Sequence, residues 1–250
     1  MKVAVVTGAS SGIGQATARR LDRDGWRLLL VARRADRLEA LARELRDADF
    51  VPPDLTDEDA PARVRHRADQ EGALHLLVNN AGGSRRASFG DPNGGHANVK
   101  GDMDLNFHAV VRLTEVLLPL LRRSAPSAIV NVSSVAGRVG RARAGAYSAS
   151  KFALAGWTES LQLEEREHGV HVGLVLPGFV STEGFPQEQL TRRRTTRWIV
   201  STPEKVADAI VDAGPGGKVE RYIPRAYALV PALRHGLPAV WRRVGSGARG

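Results

Sequence analysis

The 250-residue sequence has no cysteine, so it can form no disulfide and offers no thiolate to zinc. That suits a reducing compartment, and a cytoplasmic location is expected. Histidine is sparse as well. The seven histidines are scattered, His168 and His171 straddle the helix-breaking Gly169, and no metal site is assigned. No apolar run reaches the roughly 20 residues that a membrane-spanning helix needs. The first apolar strand starts at residue 2 or 3, so no signal or transit segment is expected before it. Aromatic residues make up only 5% of the chain, and no stacking platform or nucleic-acid motif accompanies the formal net charge of +9. Lysine is scarce too: five of the 36 basic residues are lysine and 31 are arginine, interleaved with alanine and glycine in every segment. Such a spread looks like coding bias rather than a binding face, and no nucleic-acid partner is expected.

What the chain does contain is an alternation of apolar runs and helical patterns, and its first unit organises the rest. Val3-Ala4-Val5-Val6 lacks polar alternation, as in a strand buried on both faces of a parallel sheet. The run breaks at Thr7-Gly8-Ala9-Ser10-Ser11-Gly12-Ile13-Gly14, after which Ile13, Thr17 and Leu21 recur at helical spacing until Asp24-Gly25. The three glycines allow a tight turn and a close approach to a ligand. The free N–H groups and positive dipole end of the new helix face the same point, which makes the stretch a seat for a pyrophosphate.

Further strands are expected at 27–32, around Phe50-Val51, and at 74–78, 128–132, 170–176 and 221–223. Between them the pattern predicts a helix capped by Asp36 and carrying Leu38, Leu41 and Leu45, then one capped by Thr56. After a Gly-, Asp- and Asn-rich loop at 83–97 it predicts a long helix over 98–121, then helices over 146–167 and 202–213. Strands and helices alternating at this rhythm give one α/β domain over 1–244. It is a doubly wound parallel sheet of about seven strands, with helices on both faces and ligands at the carboxyl ends of the strands.

Those ends carry Thr7-Gly8-(x)3-Gly12-Ile13-Gly14, Asp54, Asn79-Asn80-Ala81-Gly82, Asn106, Ser134, Tyr147-(x)3-Lys151 and Pro177-Gly178. In residue type, order and spacing, from residue 2 to about 182, the chain resembles the single-domain short-chain dehydrogenases/reductases with their Rossmann-type sheet. The glycine spacing differs from that of the extended epimerases and dehydratases of the same superfamily, Gly-x-x-Gly-x-x-Gly.

Tyr147 and Lys151 lie four apart at the start of a helix and so share one face. A phenol with a pKa near 10 needs nearby positive charge to exchange a proton at neutral pH, and Lys151 with an oxidised nicotinamide supplies it. Ser134, at a strand end, can donate to the same substrate oxygen. The resemblance implies that Asn106 organises a water chain to the lysine. It also implies a cofactor held by Gly8, Ser10, Ser11, Gly12, Ile13 and Gly14 at the pyrophosphate, and by Asp54 and Leu55 at the adenine. Asn79, Ala81 and Gly82 are expected on the adenosine side, and Pro177, Gly178, Val180 and Thr182 at the nicotinamide, with Tyr147 and Lys151 beside it.

An acid at the tip of the second strand would bind the ribose hydroxyl of NAD. Here the tip reads Val31-Ala32-Arg33-Arg34, and Arg33 falls about where NADP-preferring members place their arginine. A guanidinium pairs with a 2′-phosphate in a forked geometry, so NADP(H) is expected to be preferred over NAD(H). The expected activity is hydride transfer between nicotinamide and a small-molecule carbonyl or secondary alcohol, with Tyr147 as general acid/base. Two other readings share the fold: a catalytically silent dinucleotide sensor, and an enzyme with another net reaction such as a dehydratase or epimerase.

The resemblance further implies a homodimer or homotetramer through the helices of Asn106 and Tyr147, and a substrate-covering segment at 183–201. That segment holds Phe185, Arg192-Arg193-Arg194 and Arg197-Trp198, a basic run that suits either a solvated helix face or an anionic substrate. A tail at 225–244 mixes Leu, Val and Trp241 with arginines. It is open to packing on a neighbouring subunit, closing the pocket or lying on a membrane, with Pro231 and Pro238 favouring packing. Residues 245–250 are expected to be disordered.

Overall fold

The computed structural model describes residues 1–183, 199–236 and 238. In chain order the elements are β1 (Val3–Thr7), α1 (Gly12–Arg23), β2 (Arg27–Val31), α2 (Ala35–Glu44), β3 (Ala48–Val51), α3 (Ala60–Gln70), β4 (Leu76–Asn79), α4 (Gly95–Met103), α5 (Ala109–Arg123), β5 (Ser127–Val132), α6 (Gly145–Glu164), β6 (Val170–Pro177), β7 (Phe179–Val180) and β8 (Val200–Ser201). A helix Pro203–Ala213, β9 (Glu220–Ile223) and a helix Leu229–Gly236 complete them. The main sheet has seven parallel strands in the order β3-β2-β1-β4-β5-β6-β9. The order reverses between β1 and β4, which opens a crevice at the carboxyl ends.

The apolar strands serve two cores because alternate side chains leave opposite faces. Ala4, Val6, Leu28 and Leu30 join Leu21, Leu38, Leu41 and Ile210 on one face. Val5, Leu29 and Val31 join Val64, Leu113, Leu117 and Leu161 on the other. A polar ladder crosses the second core. Asn79 and Asn131 are register partners on β4 and β5. The Asn79 amide donates to Asn131 Oδ1 at 2.9 Å and Thr114 Oγ1 at 3.1 Å, and the Asn131 amide donates to Thr158 Oγ1 at 2.9 Å. Four elements are thus tied through groups that would be costly to bury unpaired.

Helix starts differ from the expectations. Arg34, not Asp36, stands at the N-cap of α2, with no side-chain cap bond, and Asp36 sits in the first turn. The Arg34 guanidinium is drawn over Ser10 and Ser11, and the helix starts two residues earlier than an Asp36 cap would place it. Thr56 does not cap α3. Its N–H and hydroxyl both bind Asp54 Oδ1, at 3.0 and 2.7 Å, in a local turn, and α3 begins at Ala60 with Pro61 in its first turn. The long helix runs from Gly95 to Arg123 but is broken by a π-turn at Asp104–His108. The helix expected over 146–167 ends at Glu164 and is followed by a 3-10 turn at Arg166–His168.

Candidate active site

The turn after β1 is shaped by contacts that exclude side chains. Gly8 and Gly12 have φ of +67° and +55°, and a Cβ on Gly14 would stand 2.2 Å from Gly8 O. Thr7 fastens this turn to the end of β4: its hydroxyl donates to Val78 O at 3.1 Å and accepts the N–H groups of Asn80 and Ala81, both at 2.9 Å. Across the crevice Thr182 faces Gly12, with its methyl 3.2 Å from where a Cβ would be. The result is a cradle of bare backbone at a helix N-terminus, a shape that fits a pyrophosphate.

One cavity of about 850 Å³ runs from this cradle in both directions. At one end stand Ala32, Arg33, Arg34, Asp54 and Leu55; at the other are Ser134, Tyr147, Lys151, Pro177 and Phe179, with Gly178, Val180 and Thr182 along the wall. Arg33 approaches Asp54 Oδ2 at 3.4 Å, and Arg34 donates to Ser10 Oγ at 3.0 Å and Ser11 Oγ at 2.7 Å. Two guanidinium groups therefore border the tip of β2 beside the serines of the turn.

At the other end, Ser134 caps the short helical turn that follows β5. Its Oγ accepts from Ala136 N at 3.1 Å and donates to Pro177 O at 3.3 Å. Tyr147 lies in the first turn of α6 and shares the cavity wall with Ser134. Burial pushes the phenol above its ordinary value and the buried Asp102 carboxylate adds to the rise, while the Ser134 hydroxyl and the Arg141 charge pull it down. Lys151, one turn along α6, is only 4% exposed; its ammonium donates to Val132 O at 2.9 Å and lies 5.9 Å from the Tyr147 ring centroid. Burial lowers its pKa to about 8, with Asp102 opposing the fall.

Asn106 is fully buried and does not line the cavity. The π-turn aims its amide at Gly83, which it brackets by accepting from Gly83 N at 3.0 Å and donating to Gly83 O at 2.9 Å. A third bond, to Ser150 Oγ at 3.1 Å, ties α6 to the same group. One turn before it, Asp102 is buried. Its Oδ1 takes only long contacts from Arg85, at 3.4 and 3.5 Å, and its Oδ2 has no hydrogen-bond partner. Burial raises this carboxyl, against the opposing pull of Arg85 and Lys151.

Most of the expected residues converge on the cavity, and three positions need comment. Asn79, expected on the adenosine side, turns instead into the polar ladder between β4 and β5, because it is still in register with Asn131; Asn80 takes the cavity wall. Gly14 and Asn106 stand behind the wall rather than in it. Sequence reasoning does not single out Arg86, Arg141 and Arg143, which line the cavity from loops, or Phe179, which lines it from β7. It also assigns no role to Thr7, although that residue heads the glycine motif. The basic run at 192–194, Phe185 and the tail beyond 238 lie outside the described residues. In the described part of the tail Tyr227 and Arg234 contact the rest of the chain, while Leu229 and Leu233 of the last helix are exposed. The Tyr227 ring lies over Gly178, where a Cβ would stand 2.2 Å from it, and its hydroxyl donates to Ile199 O at 3.2 Å.

A family profile described as short chain dehydrogenase matches residues 2–192. The chain belongs to the short-chain dehydrogenase/reductase family. Among its relatives, cis-4-hydroxycyclohexanecarboxylate dehydrogenase of Sinomonas cyclohexanicum is 36% identical over 220 residues, covering 84% of this chain and 87% of the relative. Ketoacyl reductase HetN of Nostoc sp. is 32% identical over 218 residues, covering 85% and 75%. A crystal structure of an actinorhodin polyketide ketoreductase variant with NADPH superposes with a TM-score of 0.79 at 29% identity, covering 88% of this chain and 94% of that one. The chain is therefore an oxidoreductase of a family whose fold binds a nicotinamide dinucleotide. Among the described residues no helix is long and apolar enough to cross a membrane, and no three His, Cys, Asp or Glu side chains group as a metal site.

Proposed function

We propose that this protein is an NADP(H)-dependent oxidoreductase that interconverts a carbonyl and a secondary alcohol, with Tyr147 as the general acid and base. The observation that carries the reading is the single cavity joining the glycine cradle to Tyr147, Ser134 and Lys151. Arg33 and Arg34, with no acid between them at the tip of β2, support the 2′-phosphate preference. Ser10, Ser11 and Ile13 border the pyrophosphate seat. Asp54 and Leu55 border the adenine side, and Pro177, Val180 and Thr182 border the nicotinamide. The NADPH-bound ketoreductase neighbour and the ketoacyl and hydroxycyclohexanecarboxylate relatives agree with this class.

When bound, the reduced nicotinamide supplies a hydride. The chain's own groups handle the oxygen. Ser134 and Tyr147 donate hydrogen bonds to the substrate oxygen, which places its carbon for attack. As negative charge develops there, Tyr147 transfers its proton. Burial favours the protonated phenol, which is the form that reduction consumes. Lys151 offsets the charge left on the phenolate, and Asn106, bonded to both Gly83 and Ser150, ties the π-turn to α6 and to the chain after β4.

The test is loss of reduced-nicotinamide absorbance with NADPH, and separately NADH, across aldehydes, diketones, quinones, ketosteroids and 3-keto thioesters. Turnover with NADPH is expected, and Arg33→Ala combined with Arg34→Ala should weaken NADPH by about 10- to 100-fold while barely changing NADH. Equal losses for both cofactors would overturn the preference. Tight NADPH binding without any turnover would favour the silent sensor.

A further inference from the structure

Among the described residues six cations line the cavity and a single acid, Asp54, which stands at the adenosine end beside Arg33. The proposed reaction uses Arg33, Arg34 and Lys151. It leaves Arg86, Arg141 and Arg143 at the reacting end with no task.

These three come from two loops, 80–94 after β4 and 138–144 before α6, and reach the same cavity as Tyr147. Arg141 is held by the aromatic wall, its guanidinium 4.8 Å from the Phe179 ring centroid. Arg143 has φ +59°, the one positive value at a non-glycine among the described residues. The left-handed region costs an L-residue roughly 1 kcal/mol or more. Neither Arg141 nor Arg143 has an ion pair with an acid among the described residues, although arginines elsewhere are matched to acids: Arg27 to Glu71, Arg67 to Asp49, Arg122 to Glu165. Desolvation, and after it the charge of Arg86, work against the Arg141 charge. All three arginines are exposed to solvent at the cavity, and a guanidinium does not relieve such repulsion by losing its proton, so an entering anion meets charge already in place.

We propose that the substrate carries an anionic oxygen group, carboxylate or phosphate, besides its carbonyl, and that Arg141, with Arg143 and Arg86, binds that group at the reacting end of the cavity. The assignment of the carbonyl rests on the oxidoreductase reading; the anion site rests on the arginines alone. A planar fork suits both oxyanions, and the loops bring it to the cavity that Tyr147 lines. The arginines then select substrates by charge and fix which end of the molecule faces the nicotinamide.

The experiment has two arms. In the kinetic arm, 4-oxocyclohexanecarboxylate is compared with its methyl ester, and a 3-oxoacyl thioester of coenzyme A with its N-acetylcysteamine analogue. The charged member of one pair is expected to show at least tenfold higher kcat/KM, and the pair that does so identifies carboxylate or phosphate as the source. Arg141→Gln should lower that kcat/KM at least tenfold more than the neutral partner's, through KM, and Arg141→Lys should restore part of it. In the binding arm, cyclohexanecarboxylate and inorganic phosphate, which hold no reducible group, are titrated by calorimetry into protein saturated with NADP+. At least one is expected to bind, and at least tenfold more weakly to Arg141→Gln. Absence of binding by both probes, or equal binding to the variant, overturns the anion site. If a probe binds but no carbonyl is reduced, the anion site stands and the oxidoreductase reading falls.

Discussion

The two edges of the sheet treat charge in opposite ways. At the amino edge, Arg27 is held between Glu71 at 3.0 Å and Asp47, and Arg67 reaches Asp49 and Glu71, each at 2.6 Å. Arg122 and Glu165 close the ends of α5 and α6 with two bonds, at 2.6 and 2.9 Å. At the carboxyl edge the cavity gathers arginines and Lys151 around one acid. Paired charges hold elements together and leave little field for a ligand, whereas a cavity with an excess of one sign attracts ligands of the other. On the proposed reading, the chain uses the same residue type for stability at one edge and for recognition at the other.

The sharpest way to break this comparison is at Tyr147. Tyr147→Phe is expected to lower kcat by about 10²- to 10⁴-fold while leaving NADPH binding within about threefold, as read by steady-state rates and nucleotide fluorescence. The matching change at the amino edge is Glu71→Gln, which should cost about 1–2 kcal/mol of stability and leave kcat unchanged. Arg27 and Arg67 lower the Glu71 pKa, so its contribution is present above the unfolded value and is lost as pH falls through the folded one. Urea titrations at pH 7 should therefore separate the two proteins, and titrations well below pH 4 should bring them together. The smallest expected effect is at Asp102. Asp102→Asn removes a negative charge that raises both the Lys151 and the Tyr147 pKa. The alkaline limb of the reduction rate, set by Lys151 near 8, should move to lower pH by less than about one unit. An unmoved limb with lower thermal stability would leave Asp102 a structural role only.

How legible each edge was follows from how local its determinants are. The strand, glycine turn and helix at 3–23 could be read because the apolar run, the glycine spacing and the helical period are local in sequence, whereas the contacts of Thr7 with Val78, Asn80 and Ala81 that fasten the turn are not. Tyr147 and Lys151 could be read because helical spacing alone puts them on one face. Asn79 was misassigned by a single register step: the strand runs one residue further than its apolar run, and period two sends that amide into the core. The π-turn that aims Asn106 leaves no mark in the hydrophobic pattern, since its extra residue per turn is set by packing against α6. Arg86, Arg141 and Arg143 were hidden among 31 arginines, and only the folding of two loops onto Phe179 and Tyr147 distinguishes them. Asp102 was not distinguished from Asp104 two residues on, because the helix expected from 98 showed no apolar face on which to bury one acid and expose the other.

The two-residue strands β7 and β8 run parallel, with Phe179 opposite Val200 and Val180 opposite Ser201. The ends of the span between them are thereby buttoned together at the rim of the cavity, outside the main sheet. Once the ends of a span are joined, doubling the length between them adds only about 0.6 kcal/mol of closure entropy. The clasp thus works like a bayonet mount: it seats Thr182, two residues beyond Val180, against Gly12, so a wall of the glycine cradle is positioned from outside the main sheet.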